Sequence, residues 1–222
     1  MKDNCIVLHF TAPQADKISP VLRASLGPER ACHIYIEMAK DVFQSLGKLK
    51  DVSIFPVYEK TSKYPDLLWL DSEDPGFMEM QKSADKWQRT LNAVQWAFNA
   101  GAKRVVFLSV ESPGVPREWI ENAFRLLADD KSVVIGPAQD GNFYLFGLAA
   151  YIPQIFEGYP WEGRRICDEI SDRVKKMRMT VHSLPEFYAV KDDQTLHQWT
   201  EMKDKARYQS IQEKPNAANG PK

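Results

Sequence analysis

Two carboxylates lie just beyond apolar runs of the sequence, where they could bind a metal ion. Glu111 follows the run RVVFLSV from Arg104 to Val110, and Asp140 lies inside the stretch VVIGPAQDGNFYLFGL. Ligands of open α/β sheets bind beyond the carboxyl ends of the strands, so both side chains could reach one crevice. Carboxylate oxygens are the ligands that Mg²⁺ and Mn²⁺ prefer. The sequence thus indicates a divalent-cation site at Glu111 and Asp140, of the kind that usually handles a diphosphate.

Each carboxylate also has a simpler explanation. Asp140-Gly141 between two apolar runs is a strong signal for a β-hairpin turn, and the local pattern alone favours that turn over a binding loop. Glu111 at a strand end is by itself more typical of a solvated carboxylate than of a ligand. The local sequence therefore leaves both the metal site and the plain turn open.

Other chemical motifs are absent from the sequence. It contains no GxGxxG, no GxxxxGK[ST], no HExxH and no GxSxG. The four histidines are far apart, and His9 lies within an apolar run, which is typical of a core histidine. The strand-end rule selects two ligand-binding segments, the loop Thr11 to Ser25 after the first apolar run and Glu111 to Gly114 after RVVFLSV.

Composition and charge indicate an ordinary globular protein. Hydrophobic residues make up 44% of the 222, charged residues make up 27%, and the net charge is -1. This charge creates no field that would attract a nucleic acid or an anionic membrane, so neither is expected as a partner. Cys5, Cys32 and Cys167 are far apart and odd in number, which fits reduced thiols. The apolar run Cys5 to Phe10 is too short for a signal peptide or a membrane span, so we expect a cytoplasmic location.

Apolar runs alternate with amphipathic stretches along most of the chain. Continuous apolar runs are typical of strands buried on both faces, and we expect strands at Cys5–Phe10, Val52–Tyr58, Leu67–Leu70, Arg104–Val110, Val133–Ile135 and Met179–Leu184. Apolar residues spaced three or four apart predict helices over Pro28–Gly47, Trp87–Phe98, Pro116–Leu127, Arg164–Met177 and from about Thr195. The segment Thr11 to Leu26 is expected to be a loop.

This alternation predicts an α/β fold with a mostly parallel sheet covered by helices on both faces, which makes a three-layer α/β/α sandwich. The length suits one domain, over residues 1–207. The remainder, 208–222, has no apolar periodicity and is expected to be a flexible tail.

Three stretches resemble motifs of a bacterial glycosyltransferase family of the radical-SAM-associated type. They are LGPERA from Leu26 to Ala31, RVVFLSVESPGV and GPAQDGNFYLFGL. In the family the last two usually occur as a strand followed by GxDxP, and as GPxxDGGYYLxGL. The resemblance covers about Ile6 to Leu196. It implies a Rossmann-like nucleotide-diphospho-sugar transferase fold of the GT-A type, with phospholactate and molybdenum-cofactor guanylyltransferases as more distant relatives.

The resemblance implies roles for particular residues. Glu111 and Asp140 would be the remaining acidic contacts to the metal or to the sugar, and therefore the catalytic candidates. The other implied contacts are Gln81, Asp85 and Arg89 beside the nucleotide and Gly141, Asn142 and Trp161 beside the sugar.

The sequence departs from the family pattern where phosphate and metal would be bound. The two lysines and the arginine of the family's first loop correspond to Thr11, Ser19 and Val21; Lys17 and Arg23 lie nearby and could replace them as phosphate ligands. The family's YDVD corresponds to Tyr188–Lys191, YAVK, so its aspartates are replaced by alanine and lysine. Lys191 would either place a fixed positive charge where the metal would lie or mark a site that has lost its function.

The leading hypothesis is a transferase that binds a nucleotide-diphospho-sugar donor together with Mn²⁺ or Mg²⁺ and passes the sugar to an acceptor that the sequence does not identify. One alternative is a non-catalytic protein that keeps the fold for binding or assembly, a pseudoenzyme. Another is a nucleotidyltransferase, whose triphosphate donor needs more cationic support than this loop offers. The oligomeric state is left open.

Overall fold

The computed structural model of the protein describes residues 1–79, 86–156 and 165–212. Its strands are β1 (Asn4–Thr11), β2 (Val52–Glu59), β3 (Met78–Glu79), β4 (Arg104–Leu108), β5 (Ser132–Pro137), β6 (Phe143–Leu148) and β7 (Thr180–Ser183). Its helices are α1 (Pro20–Leu26), α2 (Pro28–Leu46), α3 (Lys86–Asn99), α4 (Arg117–Leu126), α5 (Ile166–Lys176) and α6 (Asp193–Gln212), with a 3₁₀ turn at Pro153–Ile155. Helix α6 thus extends into the range 208–222, and residues 213–222 lie outside the described part of the chain.

The described strands form one sheet in the order β3-β2-β1-β4-β6-β5-β7. Strand β1 is parallel to β2 and β4, and β5 is parallel to β7, whereas β6 runs antiparallel to both β4 and β5. The expected mostly parallel α/β sheet is confirmed. Strand β6 runs the other way because the short loop 138–142 turns the chain straight back, and a parallel neighbour would need a long crossover.

Helices cover both faces of the sheet, as the three-layer arrangement requires. On one face, alternate residues of β1 such as Ile6 and Leu8 pack in a cluster with apolar residues of α1, α2, α4 and α6. On the other face, Cys5 and Val7 pack in a second cluster with residues of α3 and α5. The residues Cys5 to Leu8 of β1 form a continuous apolar run because successive side chains point to opposite faces that are both buried.

Two sequence predictions about the first half of the chain are wrong. The segment Leu67–Leu70 is a turn and not a strand: the Leu70 N–H donates to the Leu67 carbonyl at 2.8 Å, so both leucines reach the core from one turn. The expected loop Thr11–Leu26 contains helix α1, which begins at Pro20 and buries Leu22. A helix this short shows too little periodicity to be recognised.

The sequence leads us to expect no membrane span and reduced thiols. Among the described residues, no helix is both long and apolar enough to span a membrane. The three cysteines are free thiols, and Cys5 is buried.

Candidate active site

Two adjoining cavities open at the carboxyl ends of β1, β2 and β4. The larger cavity, of about 360 Å³, is lined by the ends of these strands, by the segment before α1 and by Lys191. The smaller, of about 150 Å³, lies between the end of β4, the β5–β6 loop and the segment after β7. Phe107, Ser109, Glu111 and Lys191 line both, so the two cavities form one crevice. Its place at the sheet edge and its size suit a small-molecule ligand.

Asp140 is both a turn residue and a wall of this crevice. The loop 138–142 connects β5 to β6 as a hairpin, with Gly141 at a φ of 85° and the Asn142 N–H donating to Asp140 Oδ1 at 3.0 Å. Asp140 nevertheless lines the smaller cavity together with Glu111. The two interpretations of the local sequence are therefore compatible, because the hairpin holds the carboxylate at the crevice.

Lys191 forms an ion pair with Asp140 across the smaller cavity. Burial alone would raise the pKa of Asp140, but hydrogen bonds from Lys191 and Asn142 and the charge of Lys191 outweigh it, so the pKa lies below its usual value. The Asn142 side-chain amide also donates to Asp140 Oδ2 at 3.0 Å. Asp140 is thus an ionised carboxylate with both oxygens already in hydrogen bonds.

These residues do not fit a divalent-cation site. Across the described ranges, no group of three His, Cys, Asp or Glu side chains could hold a metal ion. Among the described residues, the carboxylates that line the smaller cavity are those of Glu111 and Asp140, and the ammonium group of Lys191 contacts Asp140. A cation at Asp140 would have to displace Lys191 or lie against it, at the cost of like-charge repulsion.

A second charged cluster lies at the other end of the crevice. Lys17 Nζ lies 2.6 Å from Glu59 Oε1, and the Arg89 guanidinium lies 3.6 Å from Glu59 Oε2. The hydrogen bond to Glu59 and its negative charge raise the pKa of Lys17, so this lysine is fully charged at neutral pH. Arg89 Nε is buried without a hydrogen-bond partner in the described part of the chain. We call Lys17, Glu59 and Arg89 the cation cluster.

The structure brings some of the sequence-derived candidates together and not others. Glu111, Asp140, Asn142, Lys17 and Arg89 line the crevice. Arg23 does not; its Nε donates to the Ile18 carbonyl at 3.2 Å.

Four candidates remain, and three of them lie outside the described residues. Gln81, Asp85 and Trp161 lie outside the described residues. Gly141 lines another cavity, of about 510 Å³, which Asp140 also lines.

Sequence reasoning missed Glu59 and did not single out Ser112 within its segment. Glu59 is the last residue of β2 and directly follows the expected strand Val52–Tyr58, so the strand-end rule could have found it. Ser112 lines the smaller cavity, is 1% exposed, and its hydroxyl has no hydrogen-bond partner among the described residues. The strand-end rule selects the segment Glu111 to Gly114 that contains this serine, but it does not indicate that the hydroxyl is buried.

Comparison with known proteins identifies the fold. Residues 63–163 match the model of a family described as an uncharacterised protein conserved in bacteria, DUF2064. A proposed nucleotide-diphospho-sugar transferase from Desulfovibrio desulfuricans G20 has a similar crystal structure, with a TM-score of 0.77 and 26% identity over 86% of this chain and 84% of that one. The fold is that of the nucleotide-diphospho-sugar transferases.

More distant structures share only this fold. A CMP:2-keto-3-deoxy-manno-octonic acid synthetase complexed with CTP has a TM-score of 0.57 and 10% identity, over 91% of this chain and 99% of that one. The mannosyltransferase PcManGT from Pyrobaculum calidifontis, in complex with GDP-Man and Mn²⁺, has a TM-score of 0.53 and 12% identity, over 89% of this chain and 59% of that one. No curated protein matches the sequence.

Proposed function

We propose that the protein binds a nucleotide-diphospho-sugar in the crevice and transfers the sugar to an acceptor. The observation that carries this proposal is the crevice itself: a cavity of about 360 Å³ with Lys17, Arg89 and Lys191 in its walls, at the strand ends of a nucleotide-diphospho-sugar transferase fold. Cationic side chains are the usual partners of diphosphates.

The chemistry assigned to the crevice is substitution at the anomeric carbon of the sugar. The bond from that carbon to the diphosphate breaks, the nucleoside diphosphate leaves with the bonding electrons, and an acceptor hydroxyl attacks and loses its proton. Fixed positive charges would stabilise the negative charge that builds on the leaving diphosphate. Lys17 and Arg89 are the candidates for that role, and Glu111 and Asn142 are candidates to hold sugar or ribose hydroxyls.

A second candidate function is binding without transfer. It is favoured by the charge balance of the crevice, because Lys17 already neutralises Glu59 and Lys191 already neutralises Asp140. A diphosphate must compete with these carboxylates for the cations. Such a site could still hold a ligand and yet give the leaving group too little stabilisation for transfer.

Ligand-dependent thermal stability distinguishes these functions. UDP-, GDP- and CDP-sugars and nucleoside triphosphates are each added with Mn²⁺, with Mg²⁺ or with EDTA, and release of nucleoside diphosphate is assayed in parallel. A ligand at a hundred times its Kd stabilises the protein by about 2.7 kcal/mol. Stabilisation by a sugar nucleotide together with release supports the transferase, and stabilisation without release at any acceptor supplied supports the binding protein. Stabilisation by triphosphates alone favours a nucleotidyltransferase, and no stabilisation by any ligand overturns all three.

Variants of the cation cluster locate the ligand. Lys17→Ala and Arg89→Ala should each weaken binding of the sugar nucleotide by about tenfold, since hydrogen bonds to charged groups are among the stronger ones. Lys103→Ala is the matched control. It also breaks a Lys–Asp ion pair, with Asp3 at 2.9 Å, but at the amino ends of β1 and β4. Equal losses in all three variants would place the ligand elsewhere.

A further inference from the structure

Lys191 occupies the junction of the two cavities and retains hydrogen-bonding capacity there. Its ammonium group has three N–H donors, and Asp140 accepts from it. In the described part of the chain no other acceptor lies within hydrogen-bond distance of Nζ. The side chain is 25% exposed and lines both cavities, so the remaining donors are accessible from the crevice.

The backbone around Lys191 is held from both sides. The Val190 N–H donates to the Glu111 carbonyl at 2.7 Å, which fixes this segment against the end of β4. The Lys191 N–H donates to Thr195 Oγ1 at 2.9 Å, which fixes it against the start of α6. Val190 is 1% exposed, so the segment cannot shift without opening the core. Lys191 is therefore a preorganised cation rather than a mobile surface lysine.

The acidic side of the junction is arranged for this lysine and not for a metal ion. Asp140 directs one oxygen to Lys191, and the loop holds that carboxylate with two hydrogen bonds from Asn142. Glu111 lines the same space, and no ion pair engages its carboxylate within the described residues. Ser112, with its buried and unpartnered hydroxyl, lines the same cavity and leaves a polar group for a ligand to satisfy.

We propose that Lys191 is the resident cation of this crevice, and that the protein binds a diphosphate group through the Lys191 ammonium with no divalent cation. This inference rests on the proposed function for the identity of the ligand, but not for the exclusion of the metal. The ligand is a pyrophosphate group, and fixed side chains meet its charge: Lys191 at one end and the cation cluster at the other.

Direct measurement of Mn²⁺ binding tests the exclusion without any nucleotide. The electron paramagnetic resonance signal of free Mn²⁺ should be unchanged by the wild-type protein at millimolar ion. Lys191→Asp should reduce that signal, because Mn²⁺ would then bind. The aspartate side chain is shorter than lysine and negatively charged, so it leaves space for an ion between itself, Asp140 and Glu111. Tight Mn²⁺ binding by the wild type that Asp140→Asn abolishes would overturn the inference.

Calorimetry with pyrophosphate and with UDP, in EDTA, tests the role of Lys191. Lys191→Met should weaken binding of both by at least about tenfold, and Lys191→Arg should retain most of the affinity. The double variant Lys191→Met/Asp140→Asn removes the repulsion from an uncompensated carboxylate and should still bind weakly. Lys103→Met, at the amino ends of β1 and β4, is the control and should bind like the wild type.

The outcomes separate this inference from the proposed function. Wild-type binding that disappears in EDTA and returns with Mn²⁺ overturns the role of Lys191, as does full affinity in Lys191→Met. Failure of the wild type to bind pyrophosphate also overturns it. Binding of pyrophosphate but of no sugar nucleotide leaves the Lys191 site in place and overturns the proposed function.

Discussion

Glu59 controls how much positive charge the crevice presents to an anion. Its carboxylate lies within 4 Å of both Lys17 and Arg89 and is 17% exposed. Glu59→Gln removes one negative charge and releases both cations, so we expect pyrophosphate to bind several-fold more tightly at low salt, with a gain of about 1 kcal/mol. The pKa of Lys17, which the Glu59 hydrogen bond raises, should fall toward its usual value. Isothermal calorimetry measures the first effect.

A matched substitution separates this local effect from a general change of charge. Glu79→Gln also removes one carboxylate that pairs with a lysine, Lys60 at 2.7 Å, but Glu79 does not line the crevice. It should leave the affinity for pyrophosphate unchanged. Equal tightening in both variants would show that net charge, and not the cation cluster, controls binding.

For single residues, the sequence identifies the side chains at strand ends but not the residues with which they form ion pairs. Glu111 and Asp140 follow from the strand-end rule, and they line the same cavity. The ion pair of Asp140 with Lys191 joins residues 51 positions apart, so it depends on the folded chain. The pairing of Glu59 with Lys17 and Arg89 likewise requires three separate segments to meet, which no spacing in the sequence encodes.

Asp192 is the N-terminal cap of α6 and thereby helps to place Lys191. The Thr195 N–H donates to Asp192 Oδ1 at 2.8 Å, and Asp192 and Lys191 donate their own N–H groups to Thr195 Oγ1. Asp192→Ala should lower the free energy of unfolding by about 1 kcal/mol, as loss of a helix cap usually does. Urea denaturation at pH 7 measures this loss.

The same cap should be sensitive to acid. Hydrogen bonds from the Thr195 backbone and side chain lower the pKa of Asp192 below its usual 3.8. A carboxylate with a lowered pKa in the folded state stabilises the protein above its usual pKa, and this contribution is lost as the pH falls through the folded-state value. Asp192→Asn still caps the helix but cannot titrate, so it should match the wild type at pH 7 and lose less stability below pH 3.8. Parallel acid curves for the two proteins would contradict the assignment.

The hairpin of β5 and β6 depends on the absence of a side chain at Gly136. A Cβ atom there would lie 2.5 Å from the ring of Tyr144, which is fully buried and donates its O–H to the Pro185 carbonyl at 3.1 Å. Gly136→Ala should therefore lower the free energy of unfolding by about 1–3 kcal/mol. Gly47→Ala is the control, because its Cβ would meet only the Gln44 carbonyl at 3.5 Å, an ordinary contact. Similar losses in both would show that the contact with Tyr144 does not limit the hairpin.

Elements are predictable in proportion to their length and periodicity. Helix α2 extends over Pro28–Leu46, and the apolar residues of this stretch that recur every three or four positions are all buried, namely Ala31, Tyr35, Met38, Val42 and Leu46. Helix α1 spans fewer than three turns, so the spacing of its apolar residues does not identify it as a helix. Strand β3 has only two residues, Met78 and Glu79, and its pairing with the end of β2 is a tertiary effect.

For the whole molecule, the order of the strands in the sheet is harder to predict from the sequence than the class of fold. Apolar runs such as Arg104–Leu108 indicate strands buried on both faces, and hence a parallel sheet under two layers of helices. The insertion of β6 between β4 and β5 is different. The hairpin signal at Asp140-Gly141 explains why β6 pairs with β5, but nothing local specifies that β4 pairs with its other edge.

The two apolar clusters should unfold together, because the same strands supply both. Strand β4 contributes Val106 and Leu108 to one face and Val105 and Phe107 to the other. Leu8→Ala on the first face and Leu148→Ala on the second each create a cavity in a fully buried layer, so each should cost about 2–5 kcal/mol.

If the described residues form one cooperative unit, each of these substitutions lowers the midpoint of a single transition, seen alike by far-ultraviolet circular dichroism and tryptophan fluorescence. The alternative is that the helices on each face unfold separately with their own layer. Leu148→Ala would then produce an early transition in circular dichroism while Trp199, in the first cluster, retains its native fluorescence. Coincident curves for both variants would support one domain, since a sheet that shares its strands between two layers cannot lose one layer and keep the other.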